Sequence, residues 1–274
     1  MVMRWMERVG PILGVCVCWA GVSVPAWAQR PADPPRASRV RPMVNRPTKA
    51  DNLTFRPTVK LRKGNACGTG SLIASVPGET LILTAAHVVE GPGELIVEFH
   101  RYNVGAEVNQ PSAGWPKKVP AQVIQADAEA DVALVIVSGL ARLPFLALPL
   151  DTQVEVKAGE HVISVGIDKG EKLQSWEARV KGQVDLNRGD GKTRPFLVTD
   201  KAPQHGRSGG GLFRDDGRLI GVCVGRVDMQ GNSAVGIFAS TESIRRLLNT
   251  PRALEAVSRF PTLTRAVTPA DSAR

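Results

Sequence analysis

Short apolar segments separated by turn residues are the feature that most limits how this chain can fold. From residue 58 onward they fall into two sets of six, each segment being of strand length, with apolar residues bounded by Gly, Pro or Asn. Pro77-Gly78 and Gly91-Pro92-Gly93 are typical of the tight turns that connect such strands. The predicted strands are 58–61, 70–75, 80–84, 95–99, 119–124, 132–137, 161–166, 175–182, 196–199, 211–213, 219–224 and 234–238.

One helix is predicted after the last strand. Ser240 or Thr241 is positioned to cap its first turn, and Ile244, Leu247 and Leu248 lie on one face. Two sets of strands followed by a short C-terminal helix predict an all-β fold of two antiparallel six-stranded β-barrels.

The domain organisation follows from these patterns. We expect one domain over residues 58–250, with barrel one at about 58–139 and barrel two at about 158–240. Residues 251–274 are predicted to form a weak helix and then a disordered tail.

The N-terminus has the pattern of an export signal. Arg4 and Arg8 precede an apolar run over residues 9–24, and Ala26-Trp27-Ala28 has the small residues that a signal peptidase recognises. Residues 1–28 are therefore predicted to be a signal peptide, which implies a secreted or periplasmic protein with no membrane span after its removal. An uncleaved anchor is the alternative, but the run is short for a bilayer and contains Pro11.

Residues 29–57 read as a basic, Pro/Arg-rich disordered arm. Between residues 29 and 63 there are ten Lys or Arg residues and two Asp residues, whereas the rest of the chain is nearly balanced in charge. Only Phe55 is interleaved with these arginines, and basic charge is not spread over the predicted domain, so nucleic-acid binding is not expected. The arm is predicted to be a solvated tether, with electrostatic contact to anionic surfaces as the alternative.

Cysteine and histidine are sparse. After the signal peptide the chain keeps Cys67 and Cys223, and the sequence leaves open whether they pair or are small buried apolar residues. The four histidines do not cluster with cysteines, so we expect no metal site and no cofactor.

The stretch Gln-His-Gly-Arg-Ser-Gly-Gly-Gly-Leu-Phe, residues 204–213, is the strongest chemical motif. Glycines on both sides of Ser208 allow a sharp turn that exposes its hydroxyl. A serine hydroxyl is a weak nucleophile near neutral pH, so this interpretation requires a histidine base and a carboxylate that orients it.

Two residues meet that requirement. His87 follows the apolar strand that ends at Thr84, and Asp131 begins the strongly apolar strand at Val132. A carboxylate buried there needs a hydrogen-bonding partner, and an imidazole N–H is suitable. The order His, Asp, Ser excludes an α/β-hydrolase, in which the histidine follows the serine, because no histidine follows Ser208. A subtilisin order needs an aspartate before His87, and the only ones lie in the arm.

With these motifs in place, residues 64 to about 249 resemble the trypsin-like (chymotrypsin-fold) serine proteases, and among them the bacterial Deg-type branch without a PDZ domain. The resemblance is carried by Gly68-Thr69-Gly70-Ser71, residues 84–89, residues 131–134, and Thr199-Asp200 nine residues before Ser208.

The resemblance implies a serine endopeptidase acting on polypeptide substrates in the cleft between two perpendicular barrels. Ser208 would be the nucleophile, His87 the general base and then acid, and Asp131 the residue that fixes the imidazole tautomer. The backbone N–H groups of Gly206 and Ser208 would form the oxyanion hole.

Departures from the family pattern affect activation and specificity. Arg207 stands where digestive trypsins carry an aspartate that pairs with a new N-terminus, so no such zymogen switch is expected. Ala202, Val224 and Arg226 are the predicted substrate-pocket residues; Ala202 favours a small or medium apolar residue before the scissile bond, and Arg226 would favour an acidic one. The alternative function is a catalytically silent, protease-like binding protein in which Arg207 misdirects the loop.

Overall fold

The computed structural model of the protein describes residues 41–42, 49–106, 114–147, 155–169, 172–187, 191–228 and 234–267. The predicted signal peptide at residues 1–28 lies outside these ranges, as do most of the predicted arm before residue 49 and the tail from residue 268. Within the described ranges, no helix has the length and apolar character that crossing a bilayer requires.

Two short elements lie in the predicted arm. β1 (Arg41–Pro42) pairs antiparallel with Ser175 and Gln174, and α1 (Lys49–Thr54) leads into the first barrel. Phe55 is buried, and Leu53 lies so close to Gly217 that a Cβ there would be 2.5 Å from the Leu53 Cβ. Residues 49–57 are therefore folded, unlike the tether expected from composition, because two apolar side chains bury themselves against the domain.

The first six predicted strands form a closed antiparallel barrel in the order β2-β3-β4-β7-β6-β5. Each observed strand contains the segment predicted for it, and most extend beyond it. The strands are β2 (Thr58–Lys63), β3 (Ala66–Val76), β4 (Glu79–Thr84), β5 (Leu95–Phe99), β6 (Lys117–Asp127) and β7 (Val132–Ser138).

The second six form a sheet in the order β9-β10-β13-β12-β11-β8, with β1 beside β9. Pairing of β8 with β9 joins the two ends of this sheet, so the six strands make a second ring, called here the second barrel. The fold class predicted from the sequence is confirmed. The strands are β8 (His161–Asp168), β9 (Lys172–Asn187), β10 (Thr193–Thr199), β11 (Gly211–Phe213), β12 (Leu219–Asp228) and β13 (Ala234–Ser240).

The C-terminal region is more helical than expected. α3 (Thr241–Leu248) begins as predicted, with the Ser240 hydroxyl accepting a hydrogen bond from the Ser243 N–H, and it packs on β7 of the first barrel. Two further helices follow: α4 (Pro251–Ser258), where a weak helix was expected, and α5 (Pro261–Val267), where the tail was expected. These helices and the short connection between them bury Ala253, Ala256, Val257, Phe260 and Leu263, and these apolar contacts explain why the chain stays folded beyond α3.

Candidate active site

His87 and Asp131 are brought together by the pairing of β4 with β7. Thr84 at the end of β4 lies opposite Ala133 near the start of β7, so the residues just beyond these two positions leave the barrel at the same edge. α2 (Ala86–Val89) turns the chain there and carries His87, while Asp131 immediately precedes β7. Neighbouring strand ends therefore supply the imidazole and the carboxylate.

The two side chains are joined at close range. His87 Nδ1 lies 2.7 Å from Asp131 Oδ2, and the His87 backbone N–H donates to Asp131 Oδ1 at 3.0 Å. An ionised carboxylate only accepts hydrogen bonds, so Nδ1 carries the proton in this pair and Nε2 is left unprotonated while the ring is neutral. The His87 side chain is 42% exposed and the Asp131 side chain 3% exposed. One end of the imidazole is thus fixed inside the protein while the ring remains accessible.

Asp131 has an unusual backbone. Its φ is +52°, in the left-handed region that aspartate tolerates better than most side chains. A conformation of this kind is maintained only when its surroundings determine it, and here the carboxylate accepts both hydrogen bonds from His87. The turn aims the carboxylate back at α2 rather than along the strand.

Ser208 lies on a tight loop, residues 204–210, called here the serine loop. Gly206 and Gly209 both have positive φ, +87° and +83°. A Cβ at Gly209 would lie 2.1 Å from the Thr69 carbonyl oxygen and 2.2 Å from Thr84 Oγ1, so only glycine allows this approach. The loop carrying Ser208 therefore packs directly on the residues that precede α2 and His87.

The expected bond between the nucleophile and the base is not formed in this structure. Within the described ranges, no hydrogen bond joins the partly buried Ser208 hydroxyl to His87. Such bonds are often long or misaligned in proteases without substrate and tighten in the Michaelis complex. The structure thus joins the imidazole to the carboxylate, and it brings the serine loop against the same turn.

The serine loop also orients two backbone N–H groups. In a planar trans peptide the C=O and the following N–H point in opposite directions. The His205 carbonyl accepts from the Lys169 N–H at 2.5 Å, and the Arg207 carbonyl accepts from the Gly210 N–H at 2.8 Å. The N–H groups that share these two peptides, those of Gly206 and Ser208, are consequently directed away from those contacts.

Thr69 holds the serine loop from the first barrel. Its Oγ1 donates to the Gly206 carbonyl at 2.8 Å and accepts from the Ile167 N–H at 3.0 Å, and its own N–H donates to the Ser208 carbonyl at 2.8 Å. The Gly68-Thr69-Gly70-Ser71 motif indicates the family resemblance, but the sequence alone does not reveal this role of Thr69. Gly68 beside it was the available signal, since a Cβ there would lie 3.0 Å from the Ser208 carbonyl oxygen, and glycine permits this close contact between barrels.

Arg207 points away from Ser208 into the second barrel and has no exposed surface. Its guanidinium makes a two-pronged ion pair with Asp168, with both N–O distances 2.7 Å, and its carbon Cζ lies 4.9 Å from the centre of the Trp176 ring. Sequence reasoning missed Asp168 and Trp176, because nothing local to a strand end or a strand interior marks them as partners of a residue more than thirty positions later.

The charge on Arg207 affects its neighbours. Burial, with Arg207 as the next cause, lowers the pKa of Lys201, whose ammonium lies 5.2 Å from the Trp176 ring centre. Burial raises the pKa of Cys223 to about 12. Arg207 acts in the opposite direction on the pKa of this thiol and Asp131 in the same direction, but burial is the largest cause.

The predicted pocket residues lie at different depths. Ala202 and Val224 are partly buried, whereas Arg226 is 54% exposed and its guanidinium contacts Asp228. Gly236 was not predicted and lies between Arg226 and Thr199 in the sheet. A Cβ at Gly236 would be 2.5 Å from Thr199 Oγ1, so a side chain there has no room.

Two further predictions concern cysteines and metals. Cys67 and Cys223 are unpaired thiols, the first partly exposed and the second buried, which settles the alternative that the sequence left open. In the part of the chain that the structure describes, no three His, Cys, Asp or Glu side chains come together in a way that suits a metal ion.

Comparison with known proteins identifies a peptidase domain in this chain. Residues 68–222 match the model of the trypsin-like peptidase domain. A probable periplasmic serine endoprotease, DegP-like, of Halomonas elongata is 31% identical over 155 residues, which are 57% of this chain and 28% of that protein. The chain therefore spans less than a third of the length of this curated relative.

Two solved structures share the fold. The inactive form of the Rv3671c protease of M. tuberculosis is 25% identical with a TM-score of 0.56, over 73% of this chain and 90% of that one. The HtrA-type protease AlgW, solved with a tripeptide, is 20% identical with a TM-score of 0.57, over 76% of this chain and 62% of that one. The matched family model covers more than half of the chain, and its span includes the histidine, the aspartate and the serine loop described above. The chain belongs to the family of proteins with a trypsin-like peptidase domain.

Proposed function

We propose that this chain is a serine endopeptidase that hydrolyses peptide bonds through an acyl-enzyme. The observation that carries the proposal is the 2.7 Å contact between His87 Nδ1 and Asp131 Oδ2, beside the loop that presents Ser208. Family membership supports it, since the matched residues 68–222 include all three side chains.

In the proposed reaction, Ser208 Oγ attacks the carbonyl carbon of the scissile peptide bond and its proton passes to His87 Nε2. Asp131 accepts the Nδ1–H bond throughout and stabilises the imidazolium that forms. His87 then delivers the proton to the leaving amine, and the C–N bond breaks. A water molecule then loses a proton to His87 and attacks the acyl carbon; the bond from that carbon to Ser208 Oγ breaks, and His87 returns the proton to Oγ.

The negative charge that develops on the substrate oxygen needs donors already in position. The N–H groups of Gly206 and Ser208 are the proposed oxyanion hole, and the hydrogen bonds to the His205 and Arg207 carbonyls support this assignment because they set the tilt of both peptides. Donors held in advance lower the barrier without reorganising during the reaction.

Polypeptides are the proposed substrates. A periplasmic or secreted location is proposed from the N-terminal sequence pattern and from the similarity to the probable periplasmic endoprotease of Halomonas elongata. Ala202 and Val224 would line the site for the residue before the scissile bond, with Arg226 at its exposed rim. This arrangement favours small or medium apolar side chains.

A second candidate function is a protease-like protein that binds polypeptides without turnover. One observation favours it: the Ser208 hydroxyl and His87 are not hydrogen-bonded within the described residues. The burial of Arg207 argues against it, because the guanidinium is withdrawn from the nucleophile and does not displace the Gly206 N–H.

Labelling with a fluorophosphonate probe distinguishes the two functions, since the probe bonds covalently to a serine activated by a histidine. We expect the wild-type protein to be labelled, Ser208→Ala and His87→Ala to lose the label, and Ser258→Ala, at an exposed serine of α4, to keep it. A correctly folded wild-type protein that takes up no probe would exclude hydrolysis and leave the binding function.

A further inference from the structure

The Arg207 guanidinium is buried, and each of its N–H groups has a hydrogen-bond acceptor. All five N–H groups of its guanidinium have an acceptor: Asp168 takes two at 2.7 Å, the Ser164 carbonyl and hydroxyl take two at 3.0 and 3.2 Å, and the Gln174 carbonyl takes one at 3.3 Å. The Trp176 ring lies against the guanidinium. The side chain therefore has one position available to it.

The absence of a side chain at Gly166 makes room for the aliphatic part of Arg207. Its stem passes Gly166, where a Cβ would lie 2.8 Å from Arg207 Cγ. Ser164 and Trp176 lie opposite each other in the pairing of β8 with β9, and Gly166 lies opposite Gln174. Two adjacent strands thus supply the acceptors, the ring and the gap through which the stem enters.

The residue after Asp168 holds the other end of the serine loop. The Lys169 N–H donates to the His205 carbonyl, and Lys169 has a φ of +54°, a left-handed conformation that lysine rarely adopts. Lys169 and Asp168 therefore hold neighbouring parts of the serine loop. The Lys169 backbone N–H fixes the peptide between His205 and Gly206, and the Asp168 side chain anchors Arg207, the residue before Ser208.

We infer that Arg207 and Asp168 form a built-in brace that holds both oxyanion-hole peptides in position. The space beside the loop is filled by a cation of the same chain, so no external group needs to bind there before turnover. Arg207 and Asp168 are positioning residues, not catalytic ones, since neither touches the reacting atoms. The inference rests on the proposed peptidase function of this site and adds how the site is kept ready.

The test compares three variants in a double-mutant cycle: Asp168→Asn, Arg207→Gln, and the two combined. Without the brace the loop loses its oriented donors, so the rate constant for fluorophosphonate labelling and the kcat for a cleaved peptide should each fall by about 10² to 10³, with KM changing by less than about threefold. Because the two residues act as one unit, the double variant should lose no more than either single variant.

A matched control separates this role from general stabilisation by ion pairs. Glu160→Gln removes the partner of Arg214, a pair with a 2.6 Å contact in the same barrel that does not touch the serine loop. It should leave kcat within about twofold of wild type. If Asp168→Asn is as active as Glu160→Gln, or if the losses of the two single variants multiply in the double variant, the brace is disproved.

The double variant keeps the test decisive if a single variant folds poorly, and amide hydrogen exchange keeps it decisive if the wild type proves inactive. The double variant leaves no unpaired buried charge, so it should fold where a single variant fails. Amide hydrogen exchange over residues 204–210 reports on the loop without turnover. Slower exchange in the wild type than in the double variant supports the brace even if the peptidase proposal fails, and equal exchange overturns the brace even if the enzyme is active.

Discussion

Thr69 in the first barrel donates its backbone N–H to the carbonyl oxygen of Ser208 in the second barrel, at a distance of 2.8 Å. The Thr69 hydroxyl donates to the Gly206 carbonyl, also at 2.8 Å. One residue of the first barrel therefore fixes the serine loop on both sides of Arg207, which makes the interface between barrels part of the candidate active site.

Replacing Thr69 by Val should lower kcat by about 10 to 100-fold, because the methyl group that replaces the hydroxyl cannot hold the Gly206 carbonyl and the oxyanion-hole peptide loosens. Thr69→Ser keeps the hydroxyl and is the matched control, with an activity close to wild type. Steady-state hydrolysis of a peptide substrate measures both. Equal activity of the Val and Ser variants would show that the Oγ1 bond has no part in positioning the loop.

Asp131→Asn should lower kcat by about 10⁴ while the protein stays folded. The amide preserves the shape of the carboxylate, but it presents an N–H to Nδ1 and so favours the imidazole tautomer whose Nε2 carries the proton and cannot act as a base. Circular dichroism together with hydrolysis at pH 7.5 tests this. A folded variant that retains more than a tenth of the wild-type kcat would remove Asp131 from the proposed mechanism.

Gly209→Ala should destabilise the fold by about 3 kcal/mol, because the added methyl group meets the Thr69 carbonyl and the backbone is left-handed. Gly225→Ala is the control in the same barrel, since a Cβ there meets nothing within 4 Å. Urea denaturation of both variants gives the free energies of unfolding. A Gly209→Ala protein as stable as Gly225→Ala would show that the loop can move away from the first barrel.

A peptide library should be cleaved after small or medium apolar residues and not after Lys or Arg. By the resemblance to trypsin, Ala202 occupies the position of the acid that selects those two residues, and alanine offers no negative charge there. Ala202→Asp should shift cleavage toward Lys and Arg, and Ala202→Asn is the uncharged control. Mass spectrometry of the products identifies the cleavage sites. Dominant cleavage after basic residues by the wild type would reject the proposed pocket.

Cys67 and Cys223 should differ in their rates of alkylation. Burial raises the pKa of Cys223 to about 12, so its thiol stays neutral and covered in the folded protein at pH 8, whereas Cys67 is partly exposed. Of these two residues, iodoacetamide should modify Cys67 alone in the native protein, and it should modify Cys67 and Cys223 after denaturation. Cys223 modified as fast as Cys67 under native conditions would contradict its burial.

The raised pKa of Cys223 also makes the free energy of unfolding depend on pH. A thiol ionises near pH 8.5 when unfolded, and the folded state resists ionisation up to about pH 12. The contribution of Cys223 to the free energy of unfolding is therefore complete below about pH 8.5 and is lost as the pH rises toward 12. Cys223→Ala should show less loss of stability than wild type between pH 8 and 10 in urea denaturation.

Local chemistry in the sequence determined the strands and the candidate triad. Apolar segments bounded by Gly and Pro predicted all twelve strands of the two barrels, because strand formation and turns depend on neighbouring residues. His87, Asp131 and Ser208 became the candidate triad for the same reason, since each sits in a recognisable local frame and their order along the chain differs from the α/β-hydrolase and subtilisin orders.

Tertiary structure alone decided how Ser208 is supported. In the sequence, Asp168 is typical of a solvated residue at a strand end, and Arg207 suggests a distorted loop beside Ser208. The folded chain instead pairs these two residues, which are 39 positions apart. The folding of residues 49–57 and of α4 and α5, and the unpaired state of the cysteines, were likewise set by which surfaces came into contact. The hydrophobic periodicity of a segment predicts which of its faces is buried. An ion pair, or a hydrogen bond between the two barrels, depends on distances that only the packed chain defines.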